Sequence, residues 1–527
     1  MSVLPSANRI LRMTLLVAAA LTPIACEVGP DFKRPASSVE PHWIEEPSAP
    51  APASTATATA NWWQVFADPT LDALIDAAYH NNLSLRVAGA RVLQAQAQLQ
   101  VAIGQLFPQQ QALSAEVQHQ RLSRDSLLTP ATDPSLRSSQ IGVAATWELD
   151  FWGKYRRGIE SDRAAMLASL AAYDNALVSL TAGVASDYLN IRTLQQRIQV
   201  AQDNVQTQTE SLRIARSQFE NGETSELDVE QALTQLAQTQ AQIPGLENSL
   251  RTTKDSLAVL LGLTPDRVDE RLGTGTAIPT APDEVATGMP KDLLRRRPDV
   301  RQAELTAAAQ SAGIGVAKSN LYPSFSLSGS FGYLSTSAGN NSLFSWDNRA
   351  TAAGASFVLP IFNYGRIVNS IRVQDAVFEQ AVLSYQNTVL QAQQEVEDAR
   401  AAFMAAQQTL TTLGEAAHSA RRTTELAIVR YKEGASDYTT VLSAEQLQLQ
   451  IEDALASAQG GVPLALVSVY RALGGGWQLR EGQDLLPAAT RKEMKARTYW
   501  GGLPDSGARL PEVEEDSQGA PGESHDP

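Results

Sequence analysis

Cys26 is the only cysteine in 527 residues, and its surroundings favour one kind of chemistry. Arg9 and Arg12 carry positive charge, Met13 to Leu21 form a short apolar run, and the small Ala25 directly precedes the cysteine, the layout of an export signal and its cleavage point. A thiol at such a cut site is placed for acylation, so Cys26 reads as the lipid-modified first residue of the exported chain; the competing reading is an inert thiol in a discarded peptide. Pro23 stands three residues before it, where such signals usually carry Leu, and Glu27 follows it instead of the Asp that retains lipoproteins in the inner membrane.

No other residue pattern offers a reaction. A single cysteine forms no intrachain disulfide and no thiolate cluster, and the histidines at 42, 80, 119, 418 and 525 lack ligand spacing. There is no nucleophile motif and no Gly-rich phosphate loop, so the reading is of a non-enzyme with no catalytic residue, no metal and no cofactor. A net charge of −15 and a pI near 4.9 set aside nucleic acid, whose phosphates need a dense basic patch.

The elements that carry these residues begin with an export signal over 1–25, whose apolar run is too short for the ~20 residues a spanning helix needs. No later segment reads as such a span, so membrane residence requires a lipid anchor or β-structure. Residues 26–60 are rich in Pro, Ala, Ser and Thr and read as an extended tether. At the other end 474–527 is a tail rich in Gly, Pro and acids, expected to be disordered from about Leu510.

Between them lies an internal repeat, 61–263 and 299–473, joined by a connection over 264–298. Gly153, Lys154, Tyr173, Val184, Phe219 and Gly222 recur as Gly365, Arg366, Tyr385, Val396, Tyr431 and Gly434, all at an offset of 212. Upstream, Leu106-Phe107-Pro108 answers Leu321-Tyr322-Pro323 at 215. Since 212 is not a multiple of seven, heptad coincidence does not produce the match, and duplication does.

Each half predicts two long helices, over 154–219 and 226–262 and then 366–430 and 437–473. Ile371, Phe378, Tyr385, Ala392 and their successors to Ala427 recur every seventh residue, with Val382, Val389, Val396, Phe403, Leu410 and Ala417 four later in each repeat. The first half matches with Met166, Tyr173, Leu180, Leu194 and Ala201 against Leu170, Leu177, Val184, Ile191, Ile198, Val205 and Leu212. This is an a/d seam. At 1.5 Å per residue such a helix reaches about 100 Å. The Ala-rich seam, flanked by Gln, Thr and Ser, fits either a solvent-exposed coiled coil or a wall of helices around water.

Before each long helix come two stretches of period-two alternation, in hairpins over 110–150 and 323–361. Leu113, Ala115 and Val117 alternate with Ser114, Glu116 and Gln118, and Ile141 to Asp150 continue the pattern. Phe325, Leu327, Phe331 and Tyr333 alternate with serines, followed by Ala353, Ala355, Phe357, Leu359 and Ile361. One apolar and one polar face over about ten residues is the layout of an outer-membrane strand. Four strands are too few for a membrane barrel, which needs about eight, so closure calls for further copies of the chain.

These residues resemble the TolC and OprM-like outer membrane efflux family, its lipoprotein branch, over roughly Cys26 to Gly475. The marks are Cys26-x-x-Gly29-Pro30-Asp31-Phe32-x-Arg34-Pro35, Trp62-Trp63-x-x-Phe66-x-Asp68-Pro69, Trp147-Glu148-Leu149-Asp150-Phe151-Trp152-Gly153-Lys154, Arg296-Arg297-Pro298-Asp299-Val300-Arg301 and Leu359-Pro360-Ile361-Phe362. The resemblance implies a mixed α and transmembrane-β fold, in which three chains of four strands close a 12-stranded β-barrel continuous with a long α-helical barrel. It implies a homotrimer anchored in outer-membrane lipid, its helices in the periplasm, docked to a periplasmic adaptor and an inner-membrane pump of the resistance-nodulation-division type. The implied role is a passive exit duct for drugs or small toxic solutes. Type I protein secretion and metal-ion efflux are the alternatives within that class, and a periplasmic coiled-coil rod or a cell-wall hydrolase with helical spacers are those outside it.

On the same resemblance the helix–helix turns 220–228 and 432–440 form the periplasmic tip, where constriction and docking occur, with Gly222 and Gly434 freeing the backbone. The family often places carboxylates just after the second turn; the matching positions here are Thr440 and Ser443. Asp437, or Asp228, Glu226 and Glu230 from the first half, are the acids that stand in, and Tyr431 precedes the second turn. Gly153 and Gly365 are expected to relieve crowding where strand becomes helix, Pro108 and Pro323 to end helices before the strands, and the Arg297-Pro298-Asp299 run to start a helix as a structural contact.

Overall fold

A computed structural model describes residues 27–37, 60–121, 123, 135–282, 296–336 and 342–505. Cys26, the segment read as an export signal, most of the segment read as a tether and everything from 506 onward lie outside the described residues. The helices are α1 (Pro69–Asn81), α2 (Leu83–Gly104), α3 (Lys154–Glu220), α4 (Glu226–Leu260), α5 (Asp269–Leu272), α6 (Pro298–Ser319), α7 (Arg366–Lys432), α8 (Tyr438–Ala472) and α9 (Ala488–Arg497). The strands are β1 (Gln110–Arg121), β2 (Ser135–Leu149), β3 (Ser324–Thr336) and β4 (Arg349–Val358). The chain divides into two compact units: one takes 1–36, 94–168 and 303–385, the other 37–93, 169–302 and 386–527. Each unit therefore draws segments from both sequence repeats.

The first unit is built on one antiparallel sheet in the order β1-β2-β3-β4. Its register converts alternation into faces. Leu113 pairs with Val143 and Val143 with Phe331; Trp147 pairs with Leu327; Leu149 pairs with Phe325 and Phe325 with Phe357. The other face holds Ser114, Gly142 and Gly332 in line, and Thr146, Ser328 and Gly354. Leu113, Val143, Trp147, Leu327, Phe331 and Phe357 are all exposed, so the apolar face is uncovered. β4 stops at Val358, earlier than the alternation to Ile361 predicts, since Pro360 has no N–H to extend the ladder.

The second unit is helical. Asp68 caps α1 through bonds from the Thr70 and Leu71 amides, with Pro69 at the first helical position, which explains that stretch of the Trp62–Pro69 run. The other oxygen of Asp68 accepts from the Tyr188 hydroxyl at 2.6 Å, and Trp62 stacks on Tyr470 with ring centroids 5.4 Å apart. The core runs along the seam through Leu170, Tyr173, Leu177, Val184 and Ile191 and includes Leu466 and Val467 of α8. One stretch of α3 is apolar enough by length and composition to cross a membrane, which the sequence reading did not foresee, but 61% of it is buried within the protein as in any core helix.

The segment read as a tail packs before it leaves the described residues: α9 follows a 3-10 turn at Trp477–Arg480, and Leu485, Leu486 and Met494 are buried. The long helices match in length, 67 residues for α3 and α7 and 35 for α4 and α8. Every boundary of the second pair lies 212 residues after its counterpart in the first.

Candidate functional site

At the turn after α3, Gly222 has φ +75°, and the amide of Glu223 reaches back to the Gln218 carbonyl at 2.8 Å. At the turn after α7, Gly434 has φ +68°, and Ala435 bonds the Arg430 carbonyl at 2.8 Å. Both are the same helix-ending motif, in which a left-handed glycine lets the chain reverse and satisfy the last carbonyls. The four helices that meet here share an apolar core of Leu212, Ile214, Ala215, Val229, Ala232, Ala427, Tyr431, Tyr438, Val441 and Ala444.

Within this frame the structure brings together two of the residues singled out in the sequence. The Tyr431 hydroxyl donates to Asp228 Oδ2 at 3.2 Å, and Thr224 Oγ1 bonds the same oxygen. Asp228 sits in the first turn of α4, where the helix dipole favours a carboxylate. Burial, together with the nearby Asp228 charge and opposed by Thr224, pushes the Tyr431 phenol up to about 12, so it remains a donor at every physiological pH. Its backbone carbonyl is held by Gln218 Nε2 of α3 at 3.0 Å.

The other candidates are not gathered. Glu226, Glu230, Asp437, Thr440 and Ser443 are exposed; Ser443 Oγ donates to the Thr439 carbonyl, and Asp437 precedes α8 without a side-chain capping bond. Sequence reasoning missed the deeper polar group. Glu445 is buried, accepts from Ser211 Oγ at 2.5 Å, and is pushed by burial up to about 7 against the lowering effect of that bond. One layer on, Glu452 accepts from Asn204 at 2.7 Å and from Arg421 at 2.5 Å. The available signal was spacing: Tyr438, Glu445 and Glu452 fall seven residues apart and share one helix face.

In the first unit Gly153 and Gly365 begin α3 and α7 with φ +76° and +80°. A Cβ on Gly153 would lie 3.2 Å from Glu27 Cα, so the glycine admits the N-terminal segment beside the strand–helix junction. That segment is tied down by Val28 N to the Trp152 carbonyl, by Glu27 to Arg156, and by Arg157 to Asp31 at 2.6 Å. Pro108 and Pro323 fall between helix and strand, and the Pro323 carbonyl accepts from Trp152 Nε1 at 2.8 Å. In the second unit Arg297 is buried and binds Asp299, Glu395 and the Ala472 carbonyl.

The described family "Outer membrane efflux protein" matches residues 74–263 and 289–475. The pyoverdine export outer membrane protein OpmQ of Pseudomonas putida is 33% identical over 427 residues, covering 79% of this chain and 88% of its own. The probable efflux pump outer membrane protein TtgC of the same species is 30% identical, covering 87% and 94%. Among solved structures, the outer-membrane channel OprN superposes with a TM-score of 0.76 at 32% identity, over 86% of this chain and all of that one.

Proposed function

Because the chain belongs to the outer membrane efflux protein family, we propose that it is the outer-membrane exit duct of a tripartite efflux system, passing drugs or small toxic solutes delivered by an inner-membrane pump and a periplasmic adaptor. The observation that carries the reading is the sheet: four strands of 10 to 15 residues with an uncovered apolar face. Such a face is stable against lipid, not water, and a membrane does not tolerate open strand edges. Closure by three copies, twelve strands in all, removes those edges. The four shared helix boundaries at an offset of 212 support duplication as the origin of the two halves. A periplasmic rod has no use for the strands.

The cargo follows the relatives only as a class. Their names include a pyoverdine exporter and a toluene efflux pump, so a small-solute duct fits better than protein secretion; a pump of the resistance-nodulation-division type is what the resemblance of the sequence implies. Cys26 acylation is supported by the next residues along: the segment from Glu27 to Arg34 is fixed beside the junction at Gly153, close to the end of the strands, where fatty chains on residue 26 would meet the bilayer surface. The tip turns are the constriction, and Asp228 with Tyr431 is the closing contact, because these are the gating candidates that actually bond.

Purified full-length protein in planar bilayers tests the reading. Discrete conductance from particles that cross-link as trimers is the expected result. An aqueous, non-conducting protein would sink it.

A further inference from the structure

Next to the apolar tip core, the packing turns polar around Glu445, which is 2% exposed. Its Oε1 accepts from Ser211, while its Oε2 is buried with no bonding partner. The Tyr438 hydroxyl and both amide atoms of Gln208, which is 1% exposed, are likewise buried and unbonded. Gln208 lies one turn from Ser211 on the same face of α3.

The groups facing this carboxylate give it no counter-charge. On α8 itself Tyr438 interacts with it, and Tyr438 meets Tyr431 of α7 edge to face with centroids 5.2 Å apart. Tyr431 in turn holds Asp228 of α4. From α3 comes Ser211, with Gln208 one turn before it, both uncharged. The guanidinium of Arg421 on α7 binds Glu452, one heptad further along. Ionised, Glu445 would be a buried anion beside the Tyr438 phenol with only the Ser211 hydroxyl bonded to it; neutral, it carries a proton to donate.

We infer that Glu445 is a proton-binding site that sets the tightness of the tip: protonated, it lets Tyr438 and Tyr431 pack and hold Asp228, and ionised, it loosens that contact. The inference rests on the tip being the gate. Burial places the carboxyl near 7, above its unfolded value of about 4.5. A raised folded value means the stabilisation is full below about 4.5 and is lost as pH rises through 7. The tip is therefore tight in acid and looser in mildly alkaline medium.

Hydrogen exchange of residues 208–235 and 424–446 in the full-length protein in lipid nanodiscs, corrected for intrinsic rates, reads this directly. Protection of the wild type should fall about thirtyfold between pH 5.5 and 8, since it drops about tenfold per pH unit until the folded value near 7 is passed, while Glu445→Gln keeps the acid value throughout. Ser211→Ala, which removes a bond favouring the anion, should move the transition to higher pH. A flat wild type, or the same slope in Glu445→Gln, overturns the proposal. Tyr431→Phe in bilayers separates the two readings: if its conductance equals wild type while exchange still follows Glu445, the gate falls and the proton site stands.

Discussion

Asp228 and Tyr431, 203 residues apart in the chain, are joined by a 3.2 Å hydrogen bond from the phenol to the carboxylate. The bond ties the start of α4 to the end of α7, so it couples the two hairpins where they turn. A hydrogen bond to a charged group contributes about 1.5–3 kcal/mol, and this long one belongs near the lower figure. Tyr431→Phe keeps the buried ring and deletes only the bond. About 1.4 kcal/mol is tenfold in an equilibrium for each bond broken, so the variant should open more often or for longer by at least about tenfold. Single-channel recording checks it, and Asp228→Asn should act in the same direction; records indistinguishable from wild type would remove the pair from gating.

Gly222 and Gly434 make a matched pair for a second test. Each has a left-handed φ, and a Cβ added at either would meet nothing within 4 Å. Substitution by Ala therefore costs only the backbone term, about 1–2 kcal/mol, with no steric part. Gly222→Ala and Gly434→Ala should lower thermal stability equally, and Asn at either site should cost less than Ala. Unequal losses would mean that one turn makes contacts in the assembled protein that the other does not.

The strands and long helices were legible because period two and period seven are written in local sequence. Leu113, Val143 and Phe331 alternate visibly, and the register places them in line. Asp228 against Tyr431 was not legible as a pair, because periodicity says which face of a helix is buried but not which distant helix faces it. The first-half seam also misled in its second half: Leu194, Ile198 and Val205 are only half-buried, whereas Val200, Asn204, Gln208 and Ser211 are buried. Four helices pack there instead of two, so a second stripe of α3 turns inward, and apart from Val200 it is polar. The helix α9 escaped notice because its ten residues are mostly charged or small and only Met494 is buried.

Arg297 offers a third prediction. It is 7% exposed as a side chain and binds two carboxylates and a helix-terminal carbonyl, at 2.5 to 2.7 Å for Ala472, Asp299 Oδ2 and Glu395. Removing one partner of a buried pair costs about 3–5 kcal/mol, and because Glu395 is more than half exposed the lower end applies. Arg297→Ala should melt well below wild type. Arg297→Lys keeps the charge without the planar fork and should fall between them, and a lysine variant as stable as wild type would show that charge alone is needed.

Gly332 and Gly142 face each other across β2 and β3, and a Cβ on Gly332 would run into the Ile141 carbonyl oxygen and lie 2.7 Å from Gly142 Cα. Both contacts are backbone, so no rotamer relieves them. Gly332→Val should break the central ladder and prevent recovery of the protein from outer membranes, whereas Gly354→Ala, whose nearest neighbour is a serine hydroxyl at 3.4 Å, should be recovered normally. Membrane fractionation of the two variants decides it.

The last prediction concerns the segment that follows Cys26. Asp31 accepts from Arg157 at 2.6 Å, and that bond, with the guanidinium charge behind it, lowers its pKa below the ordinary 3.8. A carboxyl whose folded value is depressed contributes fully above its unfolded value and loses its contribution as pH falls through the folded one. The contact should therefore persist at neutral and mildly acidic pH and fail only below about pH 3.8. Arg157 also pairs with Glu27 and Glu160, so loss of Asp31 alone loosens the segment without freeing Arg157. A nitroxide on Lys33→Cys in a Cys26→Ser background would report this as a rise in mobility confined to strong acid, and Asp31→Asn should show the raised mobility already at neutral pH. A transition centred above pH 5, or an Asp31→Asn variant as immobile as its parent, would show that Asp31 does not hold the segment to the junction.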